Sequence, residues 1–551
     1  PVNLDYFRTL VDGTPAAGKF EGWPDSLTDF KLLDPCCGSG HFLVAAFLML
    51  VPMRMAAEGL SAKEAVNLVL AQNIHGLEID PRCVEIAVFA VALEAWRYPD
   101  ASGNPLGVRE IPAPNIACCG LKVAAKAQDW EALVPDEAPN VEYVRQELRQ
   151  LHASFVQAPL LGSLLDQSRS LKDDLATSSY ETLKVLLGKA LATERQGNLL
   201  TEEDDRWELA LSARGLLEAA RLLESSYHLV ITNVPYLKRG NQSEPLKEFC
   251  EAHYPTAKND LANVFLERCL ELSKDKGGAV QIVMPQNWLF LISYKQQRED
   301  LLKRVRWNLL ARLGPGAFET IDGEVVNVAL LTQTHNSVPS EHLVRGIDAS
   351  GERTPSEKAT TLRSGSLLQV SQLAQLRNPD ARVALGETSD EELLSKYANS
   401  YQGITTGDNR RFIGYFWELK HFGSPWMSFQ STGDVSAPFT GREQVFRWED
   451  GRGVLASSPA ARIQGQVAWK KWGVAVRQMG TFPATLNSGS PWDMNSATIV
   501  PKNSSHLMAI WCFCSSPNFI QEVRQVDQAI KVTSATMAKV PFSLSYWQRV
   551  A

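Results

Sequence analysis

Lys31-Leu32-Leu33-Asp34-Pro35-Cys36-Cys37-Gly38-Ser39-Gly40 runs an apolar strand into a glycine turn, and residues 41–55 follow with helical spacing. Ser61 and Glu64 spell a capping box, so a second helix is expected from there. Ile74-His75-Gly76-Leu77-Glu78-Ile79 is a second strand. Asp80 caps a third helix with Pro81 at its first position, running to about Trp96. Strand–helix–strand–helix alternation predicts a mostly parallel sheet with helices on its faces. Further strands are expected at residues 228–232, 278–284 and 324–331. Between the two strand groups, residues 121–227 have helical periodicity and few β-branched runs. After Thr332 the pattern changes to short Trp- and Gly-punctuated segments, more β than α. The expected architecture is α/β and Rossmann-like. Residues 1–120 and 228–335 form two halves of one core, 121–227 a helical insertion, and 336–551 a C-terminal mixed α+β domain.

The chain has 551 residues, 55 Lys+Arg against 62 Asp+Glu, 44% hydrophobic and 21% charged residues. That composition excludes disorder, collagen and coiled coil as the main theme. The longest apolar run, residues 42–51, ends at Pro52 and is about half a membrane span. No secretory segment opens the chain, and no membrane association is expected. The first residue is Pro1 rather than Met, so an upstream segment is expected. Nine cysteines include the adjacent pairs Cys36-Cys37 and Cys118-Cys119, and none builds a zinc pattern. A reducing bacterial cytoplasm and no metal site are the expectation. Residues 121–227 carry 12 basic and 18 acidic residues, whereas 336–551 carry 22 and 18 and eight of the fourteen tryptophans. The C-terminal part is therefore the better candidate for an anionic partner.

Two turns carry chemistry. Glycines at Gly38 and Gly40 let a ligand approach the backbone just before a helix N-terminus. The spacing fits neither a phosphate-binding Gly-Lys-Ser/Thr loop nor GxGxxG. Glu78, at the end of the next strand, can accept hydrogen bonds from ribose hydroxyls, so the pair points to a nucleoside. Each half alone also fits tight packing or a helix cap. The second turn is Asn233-Val234-Pro235-Tyr236, after an apolar strand. The Asn233 amide oxygen and the Pro235 carbonyl can hold one amino group, and Tyr236 offers a flat face. That suits an exocyclic amine on a planar base, although an Asn-x-Pro strand end occurs in many α/β proteins.

Asp34-Pro35-Cys36-Cys37-Gly38-Ser39-Gly40-His41-Phe42-Leu43, Gly76-Leu77-Glu78-Ile79-Asp80 and Asn233-Val234-Pro235-Tyr236 come in that order. They resemble motifs I, II and IV of the γ-class S-adenosylmethionine-dependent N6-adenine DNA methyltransferases. Gly314-Pro315-Gly316-Ala317-Phe318 with residues 325–329 looks like motif VIII. Gly403-Ile404-Thr405-Thr406-Gly407-Asp408-Asn409 and residues 532–541 resemble target-recognition segments of type IIG and phage-defence methylases. The large single-chain methylases of the BREX (PglX) and DISARM systems are the most similar kinds, the DISARM class 1 methylase foremost.

The resemblance implies a class I methyltransferase fold with S-adenosylmethionine as cofactor and double-stranded DNA with a flipped adenine as partner, beside other defence proteins. It implies cofactor contacts from Asp34, Cys36, Gly38, Gly40, Phe42, Glu78 and Ile79. Asn233 and Pro235 would hold the target amine, and Tyr236 and Phe318 would sandwich the base. If Tyr236 acts only by its ring face, Tyr236→Phe should be tolerated. DNA contacts are expected from Lys238, Arg239, Arg410, Arg411, Lys470 and Lys471, the C-terminal ones interleaved with tryptophans. Val234 stands where that family has proline, and residues 115–120 lack its motif III acid. Three other readings compete. Cys36 could be a Pro-Cys nucleophile for cytosine, the same turn serves protein and RNA amino-group methylation, and the site could be a cofactor sensor in a DNA-binding subunit.

Overall fold

Leu32 and Leu33 are buried on both faces of a three-residue strand, as expected for the centre of a parallel sheet. This strand, β1 (Leu32–Asp34), pairs in parallel with β2 (Ile74–Glu78) on one side and β4 (Leu229–Asn233) on the other. The structure is a computed structural model. It describes residues 4–121, 126–131, 134, 141–166, 215, 217–274, 277–318, 326–386, 392–527 and 530–551. Much of the expected insertion, and the Glu324 and Val325 of an expected strand, lie outside these residues. The chain divides into two compact units. One comprises Pro1–Trp288 and Gln296–Leu373; the other comprises Leu289–Lys295 and Ala374–Ala551.

The sheet of the first unit adds β3 (Asn115–Cys118), β5 (Ala279–Pro285), β6 (Arg306–Gly314), β7 (Val328–Thr334), β8 (Leu343–Asp348) and β9 (Leu368–Ser371). The strand order is β3-β2-β1-β4-β5-β7-β6-β8-β9. Strands β3 to β5 are parallel, and β7 enters antiparallel between β5 and β6. The chain leaves β1 towards β2 and β3, then returns on the other side at β4. Open α/β sheets bind ligands outside the carboxyl ends of such a reversal. This is the class I methyltransferase arrangement. The first core closes later than the expected boundary at 335. β8 pairs in parallel with β6, and β9 pairs with β8, so the sheet runs on towards Leu373.

The helices follow the sequence signals closely. α1 (His41–Glu58) starts at Gly40, whose φ of 87° is left-handed. α2 (Ala62–Leu68) has the reciprocal Ser61/Glu64 box, and α3 (Pro81–Arg97) is capped by Asp80 through the Arg82 N–H. By length and composition alone α1 is long and apolar enough to cross a membrane. Here its Leu43, Phe47, Leu50 and Val51 fill the core against Ile74, Ala87 and Val91.

The second unit is more β than α in its first part, as expected. It holds a four-stranded antiparallel sheet, β10 (Ala398–Gln402), β16 (Ser496–Pro501), β14 (Gly473–Arg477) and β15 (Ala484–Asn487), in that order. The helices Leu507–Cys514, Pro517–Val526 and Leu544–Val550 bury Ile510, Phe513, Phe519, Val523 and Trp547 in the core of this sheet. A smaller sheet orders β11 (Ile413–Tyr415), β13 (Gln444–Arg447) and β12 (Trp426–Phe429).

Candidate active site

Because β1, β2 and β4 are neighbours, the turns that follow them converge. They open onto a cavity of about 370 Å³ lined by Pro35, Cys36, Glu78, Ile79, Asn233 and Pro235. That volume is within the range of small-molecule sites. The Asp34 turn, Glu78 and the Asn233 turn are thus one site, though 199 residues of sequence separate Asp34 from Asn233.

Glu78 is the hub of the first two turns. Its Oε2 accepts the Gly38 N–H at 2.8 Å, and its Oε1 accepts the N–H groups of Ile79 and Asp80 at 2.8 and 3.1 Å. Three of the roughly four lone pairs of a carboxylate are therefore filled. One stays open on Oε2, so one ribose hydroxyl fits directly, and a second would have to displace the Gly38 N–H. The Asp34 side chain is 2% exposed and accepts the Cys36 N–H at 3.1 Å. Burial, with the Glu78 carboxylate adding to it, pushes its pKa up to about 7.

Gly40 serves a different purpose from the expected one. A Cβ there would sit 3.0 Å from the backbone and the methyl of Ala87, so the glycine lets α1 pack on α3. Phe42 is half-buried in the first turn of α1, and neither it nor Gly40 lines the cavity. The loop after β3 reaches the site instead. The Cys119 N–H bonds the Glu78 carbonyl at 2.8 Å, and a Cβ on Gly120 would lie 2.1 Å from the Ile79 oxygen. Burial raises the Cys36 and Cys37 thiol pKa values, so both stay protonated. That speaks against the nucleophile reading, which needs thiolate.

Asn233 and Pro235 are exposed at the cavity, while Val234 is 3% exposed and anchors the turn. Tyr236 does not line the cavity; its hydroxyl donates to Asn233 Oδ1 at 3.3 Å. Burial first, then the Asp260 charge, raises the phenol pKa, so it remains a donor. Phe318 is half-buried and does not line the cavity. It packs with Leu313, Val328 and Ala349 in a small apolar cluster that also takes in Val283, the register partner of Asn233.

The expected cations divide. Arg239 is committed to an ion pair with Glu251 at 2.7 Å and a bond to the Lys247 carbonyl at 3.4 Å, whereas Lys238 is exposed. In the second unit Arg410, Arg411, Lys470 and Lys471 are all exposed, and no ion pair engages them among the described residues. Trp448 and Trp469 pack into a core cluster and Trp492 is 1% exposed, but Trp417 and Trp472 are 59% and 49% exposed. Sequence reasoning missed Tyr415 and Phe416, which are also exposed. Tyr415 stacks on Trp417 with ring centroids 4.6 Å apart. It also missed the far wall of the cavity, made by Leu160, Leu161, Gly162, Ser163 and Leu164 from the insertion. No local pattern marks that segment as part of a site.

Residues 72–315 match the family model of Eco57I restriction-modification methylases. That stretch is a little under half of the chain. The adenine-specific methyltransferase PglX of Lacticaseibacillus casei (strain Zhang) is 29% identical over 460 residues, 78% of this chain and 35% of its own length. BrxX of Escherichia coli O9:H4 (strain HS), also an adenine-specific methyltransferase, is 29% identical over 351 residues, 60% of this chain and 27% of its own length. The chain thus spans about a third of the length of these curated relatives. Among solved structures, the type IIL restriction-modification enzyme MmeI in complex with DNA aligns over 92% of this chain and 62% of its own. The TM-score is 0.49 and the identity 12%.

Proposed function

We propose that this chain transfers a methyl group from S-adenosylmethionine to N6 of adenine at a specific sequence in duplex DNA, as the modification activity of a phage-defence system. One observation carries the reading: the Glu78 hub and the Asn233–Pro235 turn face one cavity. The donor set fits the cofactor. Glu78 has an open lone pair for a ribose hydroxyl, and Ile79 supplies an apolar wall for the base. When bound, the cofactor supplies an electrophilic methyl on a sulfonium.

Adenine N6 is a poor nucleophile because its lone pair is delocalised into the ring. Asn233 Oδ1 and the Pro235 carbonyl accept the two amine hydrogens and favour a pyramidal nitrogen. Its lone pair then points into the cavity. After transfer the excess proton on N6 passes to water at the exposed turn. This is positioning and electrostatic preorganisation, without a covalent enzyme adduct. The exposed cations and stacked aromatics of the second unit would hold the DNA backbone and unstacked bases. The similarity to PglX and BrxX favours a BREX-type system over DISARM.

The test is tritiated methyl transfer to unmethylated plasmid DNA, followed by nucleoside analysis. N6-methyladenine is the expected product. Cofactor binding without transfer would favour the sensor reading, and 5-methylcytosine would overturn the assignment.

A further inference from the structure

Arg268 lies on the helix Leu261–Leu272, and its side chain is 4% exposed. A buried guanidinium with no partner is costly, so its contacts are informative. It turns away from its own helix to the segment 158–166 of the insertion. Its Nε donates to the Ser163 carbonyl at 3.1 Å, and Nη2 donates to the Leu165 carbonyl at 2.5 Å. Asp166 lies 3.5 Å away as an ion-pair partner, and Glu271, one turn along the helix, lies at 3.1 Å.

The same segment is fastened to the two cofactor turns. Ser163 Oγ donates to the Pro35 carbonyl at 2.7 Å. Gly162 adopts a φ of +52° directly against Ile79, where a Cβ would meet Ile79 Cδ1 at 3.1 Å. Beside these fastenings Leu160, Leu161 and Leu164 face the cavity. The polar groups Glu78 and Asn233 thus come from the sheet, and the insertion adds three leucines to the apolar lining of the cavity.

We propose that Arg268 is a positioning residue that latches 158–166 against the Pro35 and Ile79 turns, and that Leu161 and Ser163 are binding-wall residues for the nucleoside cofactor. This rests on the cofactor reading given above. The planar fork of arginine suits the task, because it reaches two carbonyls and two carboxylates at once. Removing it leaves the Ser163 and Leu165 oxygens without that donor and lets the apolar wall move away from the ligand.

The experiment is isothermal titration of the full chain with S-adenosylmethionine and with S-adenosylhomocysteine, together with amide hydrogen exchange. Arg268→Met keeps the length of the side chain and removes every donor. It should weaken binding of both ligands at least tenfold at a temperature well below its melting point. Arg268→Lys restores one charged donor and should recover part of that loss, which a role confined to global stability would not produce. Ser163→Ala removes the bond to Pro35 and the weaker contact with Cys36 Sγ, and should weaken binding about threefold to tenfold. In the wild type, either ligand should slow exchange at residues 160–165 at least tenfold. Equal affinity in a folded Arg268→Met variant overturns the proposal. If that variant does not fold, unchanged affinity in Ser163→Ala, or wild-type exchange at 160–165 indifferent to ligand, overturns it equally. A wild-type chain that binds neither ligand overturns the cofactor reading itself, which is a different result from a wild type that binds and a variant that binds as well.

Discussion

Asp34→Asn isolates the most strongly perturbed carboxyl of the site. Asp34 ends β1 with its side chain buried, and its pKa stands at about 7 against an ordinary 3.8. Burial is the main cause, and Glu78 adds like charge. The native state therefore holds the proton more tightly than the unfolded chain. The stability this contributes is whole below pH 3.8 and is lost as pH rises through about 7. Three pKa units at about 1.36 kcal/mol each put the loss at about 4 kcal/mol by pH 8. Asparagine keeps the shape and the acceptor for the Cys36 N–H, but it cannot ionise. The stability of Asp34→Asn relative to wild type should therefore climb with pH, by about 4 kcal/mol between pH 4 and pH 8. Urea unfolding of both proteins, without cofactor, at half-unit pH steps reads this directly. A difference that stays flat across that range would mean the carboxylate is solvated or paired in the native state, and the account of this turn would be wrong.

Glu78→Gln replaces an acceptor-only group with one that also presents an N–H₂ to the backbone donors of Gly38, Ile79 and Asp80. Cofactor affinity measured by calorimetry should fall about tenfold to a hundredfold, as expected for a charged hydrogen bond worth roughly 1.5–3 kcal/mol; unchanged affinity would reject the assignment. Asn233→Ala removes one preorganised acceptor and should slow methyl transfer by about 10²–10³, with cofactor affinity retained. A wild-type transfer rate in that variant would end the proposed chemistry. Tyr236→Phe removes the donor on Asn233 Oδ1 and should lower kcat about twofold to tenfold, the worth of one hydrogen bond of roughly 0.5–1.5 kcal/mol. Full activity would restore the simpler view of Tyr236 as a ring face alone. Replacing both Tyr415 and Trp417 with alanine should weaken duplex binding in an anisotropy titration about tenfold to a hundredfold, given roughly 1–3 kcal/mol per stacked base. Both rings are exposed, so the melting temperature should hardly move; equal DNA affinity would remove them from the interface.

The parts legible in the sequence are those fixed locally. The Ser61/Glu64 box, the Asp80 cap with Pro81, and the strand-to-turn passages at Asp34 and Asn233 each depend on a few adjacent residues, and the structure forms them as read. What the sequence did not disclose depends on pairing between distant segments. Nothing near Leu343 says that it continues a sheet, because the strand it joins, β6, lies about thirty residues back, so the expected boundary fell short of Leu373. Gly40 matched a motif position, yet its lack of a side chain is demanded by Ala87 on another helix. Arg239 sits in a basic pair just after the Asn233 turn, but Glu251 one helix later takes its charge. The segment 158–166 lay inside an acidic, helix-patterned stretch that looked peripheral. It became a wall of the site only through Pro35, Ile79 and Arg268.

The two turns differ in depth, and the difference has a chemical logic. Asp34 is buried, whereas Asn233 and Pro235 are exposed. An amide or carbonyl oxygen buried without a donor costs about 1–3 kcal/mol. Acceptors meant for a transient amine are therefore cheapest at the surface, where water satisfies them until the base arrives. The Tyr236 hydroxyl serves the same end at Asn233 Oδ1: it occupies one lone pair of an oxygen that has two and leaves the other for the amine hydrogen. The phenol is protonated at neutral pH, so the orientation of the amide does not depend on the base being present. A small cofactor can be enclosed and held by groups that are already desolvated. A base that comes and goes with every turnover needs acceptors that are oriented in advance and still wet.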